Sequence, residues 1–155
     1  MENLIGIESN KAAALAEHLN DLLANYEIFY QNLRGFHWNI TGNSFFELHA
    51  KFEELYNQAN ESIDEVAERI LTLGHTPLHA FSDFMEKSEI KEAKNIKDAK
   101  GTVETTIQNL STLISKERKI LEVASDANDE GTVDLMTEYI QTQEKTTWML
   151  SAYNK

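Results

Sequence analysis

The sequence predicts an all-α fold, a four-helix bundle with a short extra helix in a long crossover between its second and third long helices. Three observations carry this expectation. Apolar residues recur at helical spacing through most of the chain, one proline and six glycines leave few interruptions, and no stretch alternates apolar and polar residues long enough to build a strand. A length of 155 residues is that of one domain able to bury one core, and residues 1–155 are assigned to it.

The elements follow in order. Leu15, Leu19, Leu22, Leu23, Tyr26, Phe29, Tyr30 and Leu33 repeat on one face of a first helix from about Ser9 to Trp38. Asn39 to Asn43 makes a turn. Ser44 with Glu47 three positions later is a capping-box pattern that opens a second helix, whose core stripe is Phe45, Phe52, Ala59, Ile63, Val66 and Ile70. That helix should end at Gly74 in a left-handed cap. Pro77 forbids continuation, and roughly two dozen residues pass before the next long helix. Phe81, Phe84 and Met85 mark a short helix in this connection, and a charged stretch from Glu86 to Lys100 follows. Val103, Ile107, Leu110, Ile114, Leu121 and Ala124 mark a third long helix, and Val133, Met136, Ile140, Thr147 and Leu150 a fourth. Two helical hairpins joined by a long crossover make a ferritin-like bundle rather than a simple up-and-down one.

Composition narrows the chemistry. With no cysteine, thiolate zinc sites, Fe–S clusters and disulfides are excluded, and any bound metal must use His, Asp and Glu. The formal charge of −12, with only 14 Lys and Arg, disfavours phosphate and favours cations, although acidity also serves solubility. No apolar run approaches the ~20 residues needed to span a bilayer, and Met1 to Ser9 lacks a signal-peptide pattern, so a cytoplasmic protein is expected.

His37 and His49 lie twelve positions apart across the predicted turn, and Asp64 and Glu68 follow on the second helix, one helical turn from each other. Two imidazoles and two carboxylates form a mixed N/O set suited to iron. At about 1.5 Å per residue, however, His49 and Asp64 on one unbroken helix stand roughly 22 Å apart, so one chain cannot close the set around one metal. If the four act together, a second copy must run antiparallel and bring its Asp64 and Glu68 beside the histidines. At about 100° per residue, the two carboxylates also point away from their own helix's core stripe. An intrachain di-iron centre needs inward ligands and Glu-x-x-His pairs, and the chain contains no such pair.

The run His37-Trp38-Asn39-Ile40-Thr41-Gly42, then Phe45, Leu48-His49, Phe52-Glu53 and Asp64-Glu65-Val66-Ala67-Glu68-Arg69-Ile70, resembles the signature of the Dps miniferritins. The likeness extends to Gly74, Pro77, the short crossover helix and Trp148, so it covers nearly the whole chain. The resemblance implies a hollow homododecamer that oxidises Fe(II), with hydrogen peroxide or dioxygen, at ferroxidase sites shared across twofold interfaces, and that stores ferric mineral. By resemblance His37 and His49 come from one subunit, Asp64 and Glu68 from its partner, and Glu53 is a further acidic residue on the first subunit's side. Glu53 and Glu54 would nucleate mineral, although adjacent acids on a helix are commonly a solvated face. Asp129, Asp134 and Glu138 would line an iron entry pore, with compensation of a helix dipole as the other reading. Trp38 and Trp148 would intercept stray oxidising equivalents or simply pack. Arg69 would pair with a carboxylate across the interface or form a surface ion pair. His18, His75 and His79 have no acids at ligand spacing and are expected to be surface or loop residues.

One departure stands out. DNA-binding Dps proteins resemble one another in a lysine-rich flexible tail, whereas Met1 to Asn10 contain two glutamates and no base. Twelve copies at −12 would total about −144, which phosphate must repel, so direct DNA binding is not expected. The alternative function is a non-catalytic shell that coats DNA or another partner.

Overall fold

The computed structural model describes residues 1–155 and is all-α, as the sequence predicts. Five helices follow in order: α1 (Ser9–Asn39), α2 (Phe45–Thr72), α3 (Phe81–Lys87), α4 (Ala99–Asp126) and α5 (Glu130–Tyr153). The hairpins α1/α2 and α4/α5 pack against each other through α1 and α4, and α3 lies on α1. No helix is long and apolar enough to cross a membrane.

The two ends of α2 differ from each other in how far they follow sequence rules. Its C-terminus ends as expected. Gly74 adopts φ +91°, its N–H donates to the Leu71 carbonyl at 2.9 Å, and the His75 N–H donates to the Ile70 carbonyl at 3.0 Å, the paired bonds of a Schellman motif. The expected capping box at the N-terminus does not form. Ser44 sits at φ −100°, ψ 19°, outside the extended geometry a cap needs, and its side chain bonds no backbone amide of the first turn.

One core of buried apolar residues runs the length of the bundle, with Leu15, Leu19, Leu22 and Leu33 from α1, Phe52, Val66 and Ile70 from α2, Leu113 and Ile120 from α4 and Met136 from α5. On α4 the buried face lies to one side of the predicted stripe. Ile107, Ile114 and Leu121 are only partly buried, while Thr106, Asn109 and Glu117 are buried with Leu110 and Leu113. Glu117 is fully buried and accepts from the Tyr26 hydroxyl at 2.5 Å and from Gln143 Nε2 at 3.1 Å. Burial pushes its carboxyl from an ordinary value of 4.5 up to about 8. The group therefore stays protonated in the folded chain over a range where it ionises in the unfolded chain. Stability is fully present below pH 4.5 and falls as pH rises to about 8. Replacing Glu117 by Gln should flatten that fall, as read from thermal midpoints between pH 5 and 9; a slope unchanged in Glu117→Gln would assign the dependence elsewhere.

The crossover from Leu73 to Asp98 is held down by asparagines of α1. Asn20 Oδ1 accepts from the Leu78 amide at 2.8 Å, and its Nδ2 donates to the Thr76 carbonyl. Asn25 is fully buried, and its Oδ1 accepts from the Glu89 and Ile90 amides, both at 3.0 Å, and from the Ser88 hydroxyl at 3.1 Å. Asn32 accepts from the Ala93 amide and donates to the Lys91 carbonyl, each at 2.9 Å. A long irregular segment must find partners for its backbone polar groups, and here helix side chains supply them. The first eight residues are also docked. Asn3 Oδ1 accepts from the amides of Ile5 and Ile7, and its Nδ2 donates to the Leu73 carbonyl.

Candidate metal centre

The α1/α2 turn brings His37, in the last turn of α1, against His49, on the second turn of α2. Their rings stack with centroids 3.8 Å apart and planes 11° apart. Each histidine binds the other's backbone: His37 Nδ1 lies 2.6 Å from the His49 carbonyl oxygen, and His49 Nδ1 lies 2.7 Å from that of His37. A carbonyl oxygen can only accept, so both Nδ1 atoms carry hydrogen. In the neutral rings both Nε2 atoms are then lone-pair donors, the tautomer a metal ligand needs. His37 Nε2 faces Glu53 Oε1 at 3.8 Å. That separation, between two acceptors, is one that a divalent cation with bonds of about 2 Å would bridge. Phe45 stacks on the other side of His49, and Tyr56 meets His37 edge-on.

The two carboxylates expected to join them stand elsewhere. Asp64 and Glu68 are exposed on α2, away from the core face of Phe52, Ala59, Val66 and Ile70, and roughly 22 Å of helix separates Asp64 from His49. In one chain no three His, Asp or Glu side chains converge on a point. The structure thus brings His37, His49 and Glu53 to one end of α2 and leaves Asp64 and Glu68 toward the other. Glu54 is exposed beside Glu53 and pairs with Lys51 at 3.3 Å. His18 and His75 are half-buried and His79 is exposed.

Asp129 is held within its own chain at the start of α5, where a carboxylate compensates the helix dipole. It is 2% exposed, caps α5 by accepting from the Thr132 amide, and binds Arg69 Nη2 at 2.5 Å. Its carboxylate is engaged by helix capping, by the Thr132 hydroxyl and by a guanidinium. Asp134 and Glu138 are exposed on α5. The same contact gives Arg69 a partner in its own chain, the ion-pair reading of the two. Arg69 Nε also donates to Thr132 Oγ1 at 2.9 Å, and its guanidinium lies 2.8 Å from where a Cβ on Gly131 would stand, so a side chain at position 131 would push the guanidinium off its partners. Trp38 and Trp148 are 56% and 66% exposed, so neither packs in its own chain's core; the Arg34 guanidinium lies over the Trp38 ring at 4.8 Å.

Bundle topology, a long crossover with its own short helix, and a histidine pair facing a carboxylate define a ferritin-like protein. Comparison with known proteins agrees. The model of the ferritin-like domain family matches residues 16–155. The chain is 45% identical to a DNA protection during starvation protein of Porphyromonas gingivalis, over 96% of this chain and 93% of that protein. It is 51% identical to an uncharacterised protein of Haemophilus influenzae, over 96% and 92%. Among solved structures, a Dps protein from Vibrio cholerae, described as a member of a broad superfamily of ferritin-like diiron-carboxylate proteins, superimposes with a TM-score of 0.98 at 49% identity, covering 99% of this chain and 97% of that one. The chain belongs to the Dps family of ferritin-like proteins.

Proposed function

We propose that this chain assembles into a hollow homododecamer that oxidises Fe(II), with hydrogen peroxide or dioxygen, at sites shared between two subunits, and stores the ferric product as mineral. The observation that carries this reading is the half-site: two stacked imidazoles with their Nε2 atoms free, one of which faces a carboxylate at 3.8 Å, with the complementary carboxylates exposed on the same helix beyond reach. Asp64 and Glu68 of a partner running antiparallel would complete the set around iron, the substrate. Beside those two residues lie the half-buried Ile63 and Ala67, which line a groove with Leu78 and the exposed Phe81, an apolar surface suited to a second copy.

The ligand set explains the direction of the chemistry. Imidazole accepts Fe(II), and hard carboxylates favour Fe(III), which lowers the barrier to electron loss. Peroxide takes two electrons, one from each of two ferrous ions, and so releases no hydroxyl radical. Exposed Glu53 and Glu54 would collect ferric ions for mineral, and Asp134 and Glu138 would attract Fe(II) at an entry pore. Exposed Trp38 and Trp148 are available to intercept stray oxidising equivalents. An acidic surface and the absence of a cation from the docked residues Met1 to Asn10 support no direct binding to DNA, and nothing in the geometry favours a purely coating shell.

The test joins light scattering to iron oxidation followed by absorbance. Twelve chains of 17.7 kDa should give a particle of about 210 kDa. Peroxide-driven Fe(II) oxidation should slow by orders of magnitude in His37→Ala and proceed at the parental rate in His18→Ala. A monomer that oxidises Fe(II) at the parental rate, or equal rates in all three proteins, would overturn the reading.

A further inference from the structure

Phe45 is the first residue of α2, and its ring lies nearly parallel to that of His49, four residues on, with centroids 4.9 Å apart and planes 15° apart. His49 stacks in turn on His37. The three rings form one column, with Phe45 at one end and the edge of Tyr56 against His37 at the other, 5.4 Å between centroids. We propose that Phe45 is a positioning residue of the metal half-site, holding the His49 ring in the plane in which its Nε2 meets the ion. This inference rests on the functional reading above.

Two features of the site assign Phe45 this role. The bond from His49 Nδ1 to the His37 carbonyl anchors one ring atom, but carbonyl acceptors tolerate a broad range of angles, and the ring keeps freedom to tilt. Flat neighbours remove that freedom. His37 covers one face of His49, and Phe45 covers the other, which would otherwise open toward solvent because His49 is only half-buried. The backbone of this turn is held by the bonds from the Phe45 amide to the Gly42 carbonyl and from the Leu48 amide to the Ser44 carbonyl, but these fix the chain and not the tilt of the His49 ring. Residues four apart on a helix are neighbours on its surface, so Phe45 and His49 meet through local geometry alone. Its neighbour Phe46 is 83% exposed and meets Phe45 edge to face, with centroids 5.3 Å apart, but stacks on neither histidine.

The test uses Co(II) alone, whose visible absorption reports binding without any turnover. Groups that orient metal ligands typically change affinity by 10–100-fold when removed, so Phe45→Leu should weaken Co(II) binding by about tenfold. Phe45→Tyr restores a flat ring and should bind as the parent does, and Phe46→Leu, which removes an edge contact to Phe45 but no ring from His49, should weaken binding far less than Phe45→Leu. Should Phe45→Leu fail to fold, Phe45→Met fills similar space without a flat face and gives the same comparison. Parental affinity in the Leu or Met variant, or an equal loss in the Tyr variant, overturns the inference alone. Failure of the parental protein to bind Co(II) in a manner dependent on His37 and Asp64 overturns the functional reading, and this inference with it.

Discussion

Co-assembly of two inactive variants should restore iron oxidation. His37→Ala keeps Asp64 and Glu68 but supplies a broken histidine pair, whereas Asp64→Ala keeps both histidines and loses a carboxylate. Neither alone can complete a site. In a mixed pair, the site built from the intact histidines of one chain and the intact carboxylates of the other is whole, and its twofold mate lacks both. Random co-assembly from equal amounts of the two chains should therefore regain about a quarter of the parental rate, since each site draws its two halves from different chains. A site within one chain predicts no recovery at all, because every chain in the mixture lacks one ligand. The measurement is the initial rate of Fe(II) oxidation after refolding the variants together, against the same variants refolded apart. Recovery of nothing above the separate rates would rule out sharing.

The second large effect concerns stability. Asn25→Ala removes the one oxygen that accepts from the Glu89 and Ile90 amides and the Ser88 hydroxyl. Ser88 has another partner in the Ile90 carbonyl, but the two amides do not gain one from alanine. Each buried donor left unpaired costs about 1–3 kcal/mol, and the side chain's own bond to the Asp21 carbonyl is also lost. A total of about 3–5 kcal/mol is a large part of the ~5–15 kcal/mol by which domains are stable. The loss should be concentrated in the crossover. Hydrogen exchange at residues 88–93 should accelerate more than exchange in α5, and the thermal midpoint should fall. Asn57→Ala, at an exposed position on α2, should do neither. Uniform acceleration across the chain, or an unchanged midpoint, would show that Asn25 is not what holds the segment.

Asn25 also marks where reading the sequence stops. Helix number, order and the crossover were legible because apolar spacing and Pro77 act locally and leave a periodic trace. The histidine pair and the offset of Asp64 and Glu68 were legible for the same reason, since both follow from helical rise and angle. Asn20, Asn25 and Asn32 leave no such trace, because an asparagine that pins a distant segment looks like any polar residue on a helix. Glu117 is invisible in the same way: hydropathy places a glutamate outside, and only the partners Tyr26 and Gln143 on other helices make burial tolerable. For Asp129 and Arg69 the sequence left two readings open, because charge patterning does not show which opposite charge lies across the bundle. The Ser44 and Glu47 pair failed in the opposite sense, a local signal overridden where the turn that joins His37 to His49 sets the chain's direction.

Placing the two halves of a site at opposite ends of one rigid helix has a consequence for regulation by mass action. Under the proposed function a lone chain would hold ligands but no complete set, so oxidation capacity would appear only as subunits associate and disappear as they separate. Complete sites arise in pairs, two for every twofold contact, and contacts of any other symmetry add none. Iron chemistry on this proposal would begin where a partner has already been recruited and a cavity can receive the product, and newly made chains at low concentration would not oxidise iron in the open.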